Sequence, residues 1–219
     1  MKRSFLFTVF FVLFAIQLFA VEKSIFIIDK TSEKKDQIID DVLQLQQSLI
    51  VDPFLKEELP ETGFLLIKMQ ASYIQQLLEE KNGRIIASYN QNELMGYIIL
   101  TEVSEFMELY QDPKIGSFEC EVPLDSLETY FKNQAVGYIE QIAVKKEYAK
   151  KGIGNILVTI CKNLAPDGLI ADIFIDPIVN FASLAFFAKM GFYEIGTLSQ
   201  KPKNNFFAHH TRVFCWLTE

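Results

Sequence analysis

The stretch of this sequence with the clearest chemical potential is a segment rich in glycine and lysine in its second half. Gly152 and Gly154 are spaced G-x-G, and four of the seven residues 145–151 are lysines in an otherwise acidic chain. Glycine lets the backbone turn sharply and bring its N–H groups against a ligand. Consecutive N–H groups at the positive end of a helix form a cradle that suits a pyrophosphate.

The G-x-G segment alone does not identify a ligand. It lacks the G-K-[ST] of a Walker A loop, and no third glycine follows Gly154 as a dinucleotide-binding fingerprint requires. An ordinary strand-to-helix turn with a solvated face of lysines would have the same sequence. The surrounding elements must therefore decide between the two interpretations.

The histidines and cysteines of the chain do not predict a metal or redox site. His209 and His210 are adjacent, and neighbours on a strand point to opposite faces, so we do not expect them to share a metal. Cys161 falls on the apolar stripe of a predicted helix and is expected in the core. With Cys120 and Cys215 it forms neither a disulfide framework nor a C-x-x-C pair, which argues against zinc ribbons and thioredoxin-like sites.

Composition bounds the class of protein. The chain has 219 residues, and half of them are apolar, which excludes a disordered or collagen-like chain. Its formal net charge of −7 argues against a nucleic-acid binder. Its length suits one domain. Residues 102–128 contain eight acids and one base, Lys114. A solvated acidic face is the simplest interpretation of that stretch.

The first twenty residues differ from the rest. Lys2 and Arg3 precede an apolar stretch, 5–19, that ends at the small residue Ala20, and this order is typical of a secretory signal peptide. The stretch is short for a membrane-spanning helix. We predict a signal peptide over 1–20, export with cleavage near Ala20, and no membrane association afterwards. An uncleaved anchor, or a packed extension of a cytoplasmic protein, remains the alternative.

The rest of the chain, 24–219, shows a mixed order of strands and helices. An antiparallel hairpin leads into a β-α-β-α-β unit. An irregular connection with one short helix, 124–131, separates them. The predicted strands are 24–28, 84–89, 94–101, 136–144, 169–175, 193–198 and 211–217, and the predicted longer helices are 36–50, 71–80, 154–164 and 181–190. Tyr73 is expected on the buried side of its helix.

This layout resembles the GNAT superfamily of acyl-CoA-dependent N-acetyltransferases. The resemblance covers 24–219 and rests on two spaced motifs, which comprise 139–144, Tyr148, 150–154, Asn180, Ser183, Phe186 and Gly191-Phe192. It implies a mixed α/β fold with a mostly antiparallel central sheet and helices on both faces. A splayed pair of strands would form the acyl-CoA cleft.

The resemblance also implies how acetyl-CoA would bind, without a metal. Backbone amides of one loop would hold the pyrophosphate, and the end of the preceding strand would pair with the pantetheine arm. The residues are Lys150, Lys151, Gly152, Ile153 and Gly154 for the loop, and Ile142, Ala143 and Val144 for the strand. Asn180 would contact the arm, or simply cap its helix. Ala149 replaces the family's usual Gln or Arg, so one side-chain contact is lost.

Catalysis in such a protein needs a base and an acid. Glu140, a carboxylate in a nearly apolar strand, matches the position of the family's frequent general base; a salt bridge at the rim is the alternative. The family's frequent acid, a tyrosine, is replaced by Phe187. We therefore assign the acid to Tyr148, with Tyr138, Tyr193 or water as alternatives.

The implied substrate is a primary amine of a small molecule or a protein. The family often uses the region of 102–128 for the acceptor, so a cationic amine is the sharper alternative to a solvated face. A module of the same fold that binds acyl-CoA with weak or no turnover, and a secreted structural domain without a cofactor, are the competing hypotheses. The second would leave the G-x-G loop unexplained.

Overall fold

The computed structural model describes residues 23–55, 61–202 and 207–218. The predicted signal peptide lies outside these ranges, so its cleavage and the export of the protein stay predictions. Within them, no helix combines the length and the apolar character needed to cross a bilayer.

Eight strands and six helices alternate along the described chain. The strands are β1 Lys23–Ile28, β2 Arg84–Asn90, β3 Glu93–Glu102, β4 Gly116–Cys120, β5 Val136–Val144, β6 Gly168–Asp176, β7 Tyr193–Gln200 and β8 His209–Leu217. The helices are α1 Lys35–Leu49, α2 Ala71–Glu80, α3 Val103–Gln111, α4 Leu124–Asn133, α5 Ile153–Leu164 and α6 Phe181–Lys189. A single 3-10 turn, Lys146–Tyr148, lies between β5 and α5.

All eight strands form one sheet in the order β1-β2-β3-β5-β6-β8-β7-β4. Each neighbouring pair is antiparallel except β5 and β6, which are parallel. Helices cover both faces, as neighbouring strand residues show: Ile85 packs with α1 and α2, whereas Ile86 packs on the opposite face with α5. The mixed, mostly antiparallel sheet predicted from sequence is confirmed.

Two elements were missed in the connection after β3. The sequence interpretation left this region irregular, but α3 forms there and buries Val103, Phe106, Met107 and Tyr110. That 0, 3, 4, 7 spacing is a helical signal, which the many acids of the segment obscured. The other missed element, β4, is a five-residue strand at the sheet edge that pairs only with β7.

Candidate functional site

The cleft lies where the two parallel strands part. β5 and β6 pair only from Val136 and Gly168 to Ile139 and Ala171. Beyond Ile139 the edge of β5 that faces β6 has no partner strand in the described ranges. Residues 142–144 therefore offer a strand edge to an extended ligand, and their pairing with the pantetheine arm stays a prediction. The splayed pair expected from the sequence is present.

The loop that follows β5 forms a cradle of backbone N–H groups. Gly152 caps α5 in the left-handed conformation with φ +82°, and no side chain caps the helix. Lys150 is also left-handed, with φ +60°. The first N–H groups of a helix have no acceptor inside it. A Cβ added at Gly152 would meet no atom within 4 Å, so open space lies before the loop. These features fit a pyrophosphate.

Two lysines of this loop contact other side chains, and a third is exposed. Lys145 pairs with Glu93, and the ammonium of Lys151 lies 5.4 Å from the centre of the Tyr148 ring. Lys150 is exposed and takes part in no salt bridge among the residues that the structure places.

The second glycine of the loop, Gly154, is required for a different reason than Gly152. A Cβ there would lie 3.1 Å from the Phe186 ring, so this position is fixed by packing.

Asn180 caps α6, as the alternative interpretation expected. Its Oδ1 accepts from the backbone N–H of Ser183 at 3.2 Å, and its Nδ2 donates to the carbonyl of Phe64 at 3.1 Å. The side chain therefore ties the segment after α1 to the end of the cleft. Its predicted contact with the cofactor arm stays a prediction.

A β-bulge places Glu140 at the mouth of the cleft. Gln141 pairs with Ile99 and Ile139 pairs with Leu100, which leaves Glu140 as the extra residue. Bulges re-aim side chains and are common beside active sites. Here the bulge falls at the first residue of β5 beyond its pairing with β6. The apolar strand thus presents one carboxyl where the strands open.

The environment of Glu140 favours its protonated form. Burial raises the pKa of Glu140 to about 8, against the opposing effect of a 3.1 Å hydrogen bond from Thr101. The negative charges of Asp172 and Glu105 raise that pKa further, and Lys81 lowers it. A group with a pKa near the working pH is suited to general acid–base catalysis. The alternative of a rim salt bridge is not supported, since the Glu140 carboxylate forms no ion pair within the part of the chain that is described.

A second carboxyl, Asp172, lies in the same cluster. The hydroxyl of Tyr138 donates to it at 2.6 Å. Burial raises the pKa of Asp172, while Tyr138, Thr211 and the charge of His209 lower it. Asp172 has the same sequence signal as Glu140, a lone carboxylate in an apolar strand, but was not among the predicted site residues.

Tyr73 on α2 lies close enough to this cluster for the charge of Glu140 to act on its hydroxyl. Its side chain is 41% exposed, so the expectation that it faces the core is wrong. Burial of the hydroxyl and the charge of Glu140 raise the pKa of Tyr73 well above its usual value. Tyr73 therefore stays protonated beside the candidate base.

The structure does not bring Tyr148 to Glu140. The Tyr148 hydroxyl donates to Glu93 at 2.6 Å and accepts from Asn90 at 3.2 Å, which fixes it to the β2–β3 hairpin. This geometry does not support the predicted role of proton donor. Phe187, which takes the place of the family's tyrosine, is 2% exposed and packs against Phe192 with ring centroids 5.0 Å apart.

The positions of Cys161 and of the two adjacent histidines agree with those expected from the sequence. His209 is 4% exposed and His210 lies on the other face, and Cys161 is fully buried. All three cysteines are free. The residues described contain no group of three or more side chains able to hold a metal ion.

Comparison with known proteins identifies the family of this chain. The model of the Acetyltransferase (GNAT) family matches residues 45–192, more than half of the chain. The chain belongs to the GNAT acetyltransferase family. No curated protein matches it.

Solved GNAT structures share the fold at low sequence identity. Arabidopsis thaliana NAA60 in complex with acetyl-CoA is 13% identical, with a TM-score of 0.57, and the match covers 89% of this chain and 98% of that one. The ribosomal-protein-S18-alanine N-acetyltransferase from Escherichia coli is 10% identical, with a TM-score of 0.54 and coverages of 89% and 93%. An N-acetyltransferase from Staphylococcus aureus Mu50 is 13% identical, with a TM-score of 0.53 and coverages of 89% and 98%. At these identities the match shows the fold alone.

Proposed function

We propose that this GNAT protein transfers an acetyl group from acetyl-CoA directly to a primary amine. The observation that carries the proposal is the placement of Glu140, a carboxyl whose pKa is raised to about 8, at a bulge where β5 and β6 part. The N–H cradle before α5 supports the choice of donor, and one fold relative was solved with acetyl-CoA bound. The names of two fold relatives, both N-acetyltransferases, agree with an amine acceptor.

The residues divide the work of the transfer. Bound acetyl-CoA supplies an activated acyl carbon. The carboxylate of Glu140 takes the proton of the substrate ammonium, directly or through water, so that the nitrogen gains a lone pair and forms the new C–N bond. As the C–S bond breaks, a proton must reach the departing sulfur. The Tyr73 hydroxyl, which stays protonated near Glu140, is the candidate donor, and the second proton that the nitrogen loses as it becomes an amide restores the Tyr73 hydroxyl.

The charge around the cluster supports a cationic acceptor. The negative charges of Asp172 and Glu105 both act on Glu140 and raise its pKa. The cation that faces them, Lys81, is held in ion pairs with Glu105 at 2.9 Å and Glu108 at 3.1 Å. Asp172, Glu105 and Glu108 outnumber Lys81 even while Glu140 is protonated, so the site attracts an ammonium and repels an anionic substrate.

Release of the CoA thiol in the presence of a panel of primary amines tests the proposal, with mass spectrometry of the N-acetyl product. The competing hypothesis, a module that binds acyl-CoA without turnover, is favoured by Phe187 and Ala149, which depart from the family pattern. Titration calorimetry with acetyl-CoA distinguishes the two. Binding with amine-dependent thiol release supports the transferase, and binding without release supports the module.

Export of the protein with removal of residues 1–20 is proposed on the sequence alone. Mass spectrometry of the protein from its native cell tests it. A mature N-terminus near residue 21 in the exported fraction is expected. An intact Met1 in a soluble cytosolic fraction would contradict export.

A further inference from the structure

Aromatic side chains extend from the carboxyl cluster to the surface. Phe174 lies two residues after Asp172 on β6, and its ring centroid is 4.9 Å from that of His209. The His209 ring is 5.9 Å from Phe207, and Phe207 meets Phe54 edge-on at 5.6 Å. This aromatic band joins three chain segments: β6, the residues before β8, and the residues after α1.

The band changes from buried to exposed along its length. At the inner end His209 is 4% exposed, and at the outer end Phe54 is 71% exposed. A single exposed phenyl ring is common on protein surfaces and needs no explanation alone. Here the exposed ring is the end of a continuous aromatic surface that begins at a buried acidic cluster. An apolar group seated along the band would remove that ring face from water.

The inner end of the band offers polar groups to a ligand. Asp172 lies close enough to His209 for the histidine charge to lower the pKa of the carboxyl. Thr211 pairs with Phe174 across β6 and β8, is fully buried, and its Oγ1 makes no hydrogen bond of regular geometry to any described residue. It nevertheless lies near enough to Asp172 to affect its pKa. The junction of band and cluster therefore holds a hydroxyl without a regular partner.

We propose that the acceptor is a small primary amine whose ammonium is joined by a short alkyl chain to an aromatic body. The ammonium would lie at Glu140 and Asp172, and the aromatic body would pack along the band toward Phe54. The inference rests on the proposed function and names its substrate class. A linear diamine or a lysine side chain satisfies the acidic end of the site and leaves the aromatic band uncovered.

Steady-state kinetics of CoA thiol release at saturating acetyl-CoA test this inference. The amines are 2-phenylethylamine, butane-1,4-diamine and Nα-acetyl-lysine amide. We expect kcat/KM to be at least about tenfold higher for 2-phenylethylamine than for the other two, a ratio that corresponds to ~1.4 kcal/mol.

Phe54→Ala tests the band itself. It should raise KM for 2-phenylethylamine about five- to tenfold and leave KM for butane-1,4-diamine within about twofold. Ile27→Ala is the control, because Ile27 is also an exposed apolar residue, 47% exposed, but lies on the edge strand β1. It should change neither KM. The melting temperatures of both variants show that they are folded.

The outcomes separate the inference from the proposed function. Equal kcat/KM for the three amines, preference for the lysine or diamine probe, or equal loss for both amines in Phe54→Ala would overturn the inference and leave the transferase intact. Thiol release with none of these three amines would overturn the inference, and release with no member of the wider amine panel, while acetyl-CoA binds, would overturn the proposed function as well.

Discussion

At the scale of the residue, the proposed chemistry depends on one carboxyl, which the fold holds in an environment that disfavours its charged form. Burial raises the pKa of Glu140 to about 8 against a usual value of 4.5. Between those values the folded protein holds a proton that the unfolded chain has released. The free energy of unfolding contributed by Glu140 therefore falls as the pH rises from about 4.5 to 8.

Glu140→Gln should accordingly stabilise the protein at high pH while it impairs turnover. We expect equal melting temperatures for variant and wild type at pH 5, and a variant at least about 2–4 °C more stable at pH 9, which is the shift for roughly 1 kcal/mol. Glu33→Gln, at an exposed position, is the control. The difference in melting temperature between this variant and wild type should be the same at pH 5 and pH 9. A Glu140 variant that is less stable than wild type at pH 9 would contradict the burial argument.

The proton donor is also a question about single residues, and two tyrosines distinguish the alternatives. Tyr73→Phe should lower kcat about tenfold with little change in KM for acetyl-CoA, because the variant removes the hydroxyl beside Glu140. Tyr148→Phe removes a hydroxyl bound to Glu93 and should lower kcat less than twofold. The reverse order, measured by thiol release, would restore Tyr148 as the donor.

At the scale of the element, the loop between β5 and α5 can be tested with a matched pair of glycines. Gly152 and Gly191 both have φ +82°, and a Cβ at either would meet nothing within 4 Å. A valine should strain both backbones equally, but only Gly152 lies at the predicted cradle. We expect Gly152→Val to weaken acetyl-CoA binding by more than about tenfold, or ~1.4 kcal/mol, measured by calorimetry.

Gly191→Val should leave the dissociation constant for acetyl-CoA within about twofold of wild type. It should lower the melting temperature about as much as Gly152→Val does. If both valine substitutions weaken acetyl-CoA binding equally, the effect comes from backbone strain in general. The assignment of the loop at Gly152 to pyrophosphate binding then fails. Gly154→Val does not serve this test, since its side chain would enter the packing around Phe186.

The elements were largely predictable where the apolar period was regular. The strand 136–144 corresponds to β5 and the helix 154–164 to α5, because apolar residues recur there at strand or helix spacing. The bulge at Glu140 was not predictable, because it depends on how β5 pairs with β3. The approach of Asp172 and Tyr73 to Glu140 joins elements distant in sequence, and no local pattern encodes it.

At the scale of the whole molecule, the parting of two parallel strands organises the site. β5 and β6 stop pairing after Ile139 and Ala171, and the N-termini of α5 and α6 follow these two strands. In the proposed function, the open end would receive acetyl-CoA on one side of Glu140, and the acidic, aromatic surface would hold the amine on the other. The GNAT family match fixes the fold, whereas in our proposal the acids and aromatic rings of this chain select the amine.

In the proposed transferase Glu140 is the general base, and the pH dependence of turnover is the sharpest test of that role. The rate of CoA thiol release should be measured for wild type and Glu140→Gln with the same amine from pH 6 to 10, because the ratio of the two rates cancels the ionisation of the amine. We predict a ratio that rises about tenfold per pH unit below pH 8 and levels above it near 10² or more, with acetyl-CoA affinity within about twofold. A ratio that stays near one, or that does not change with pH, would contradict the account.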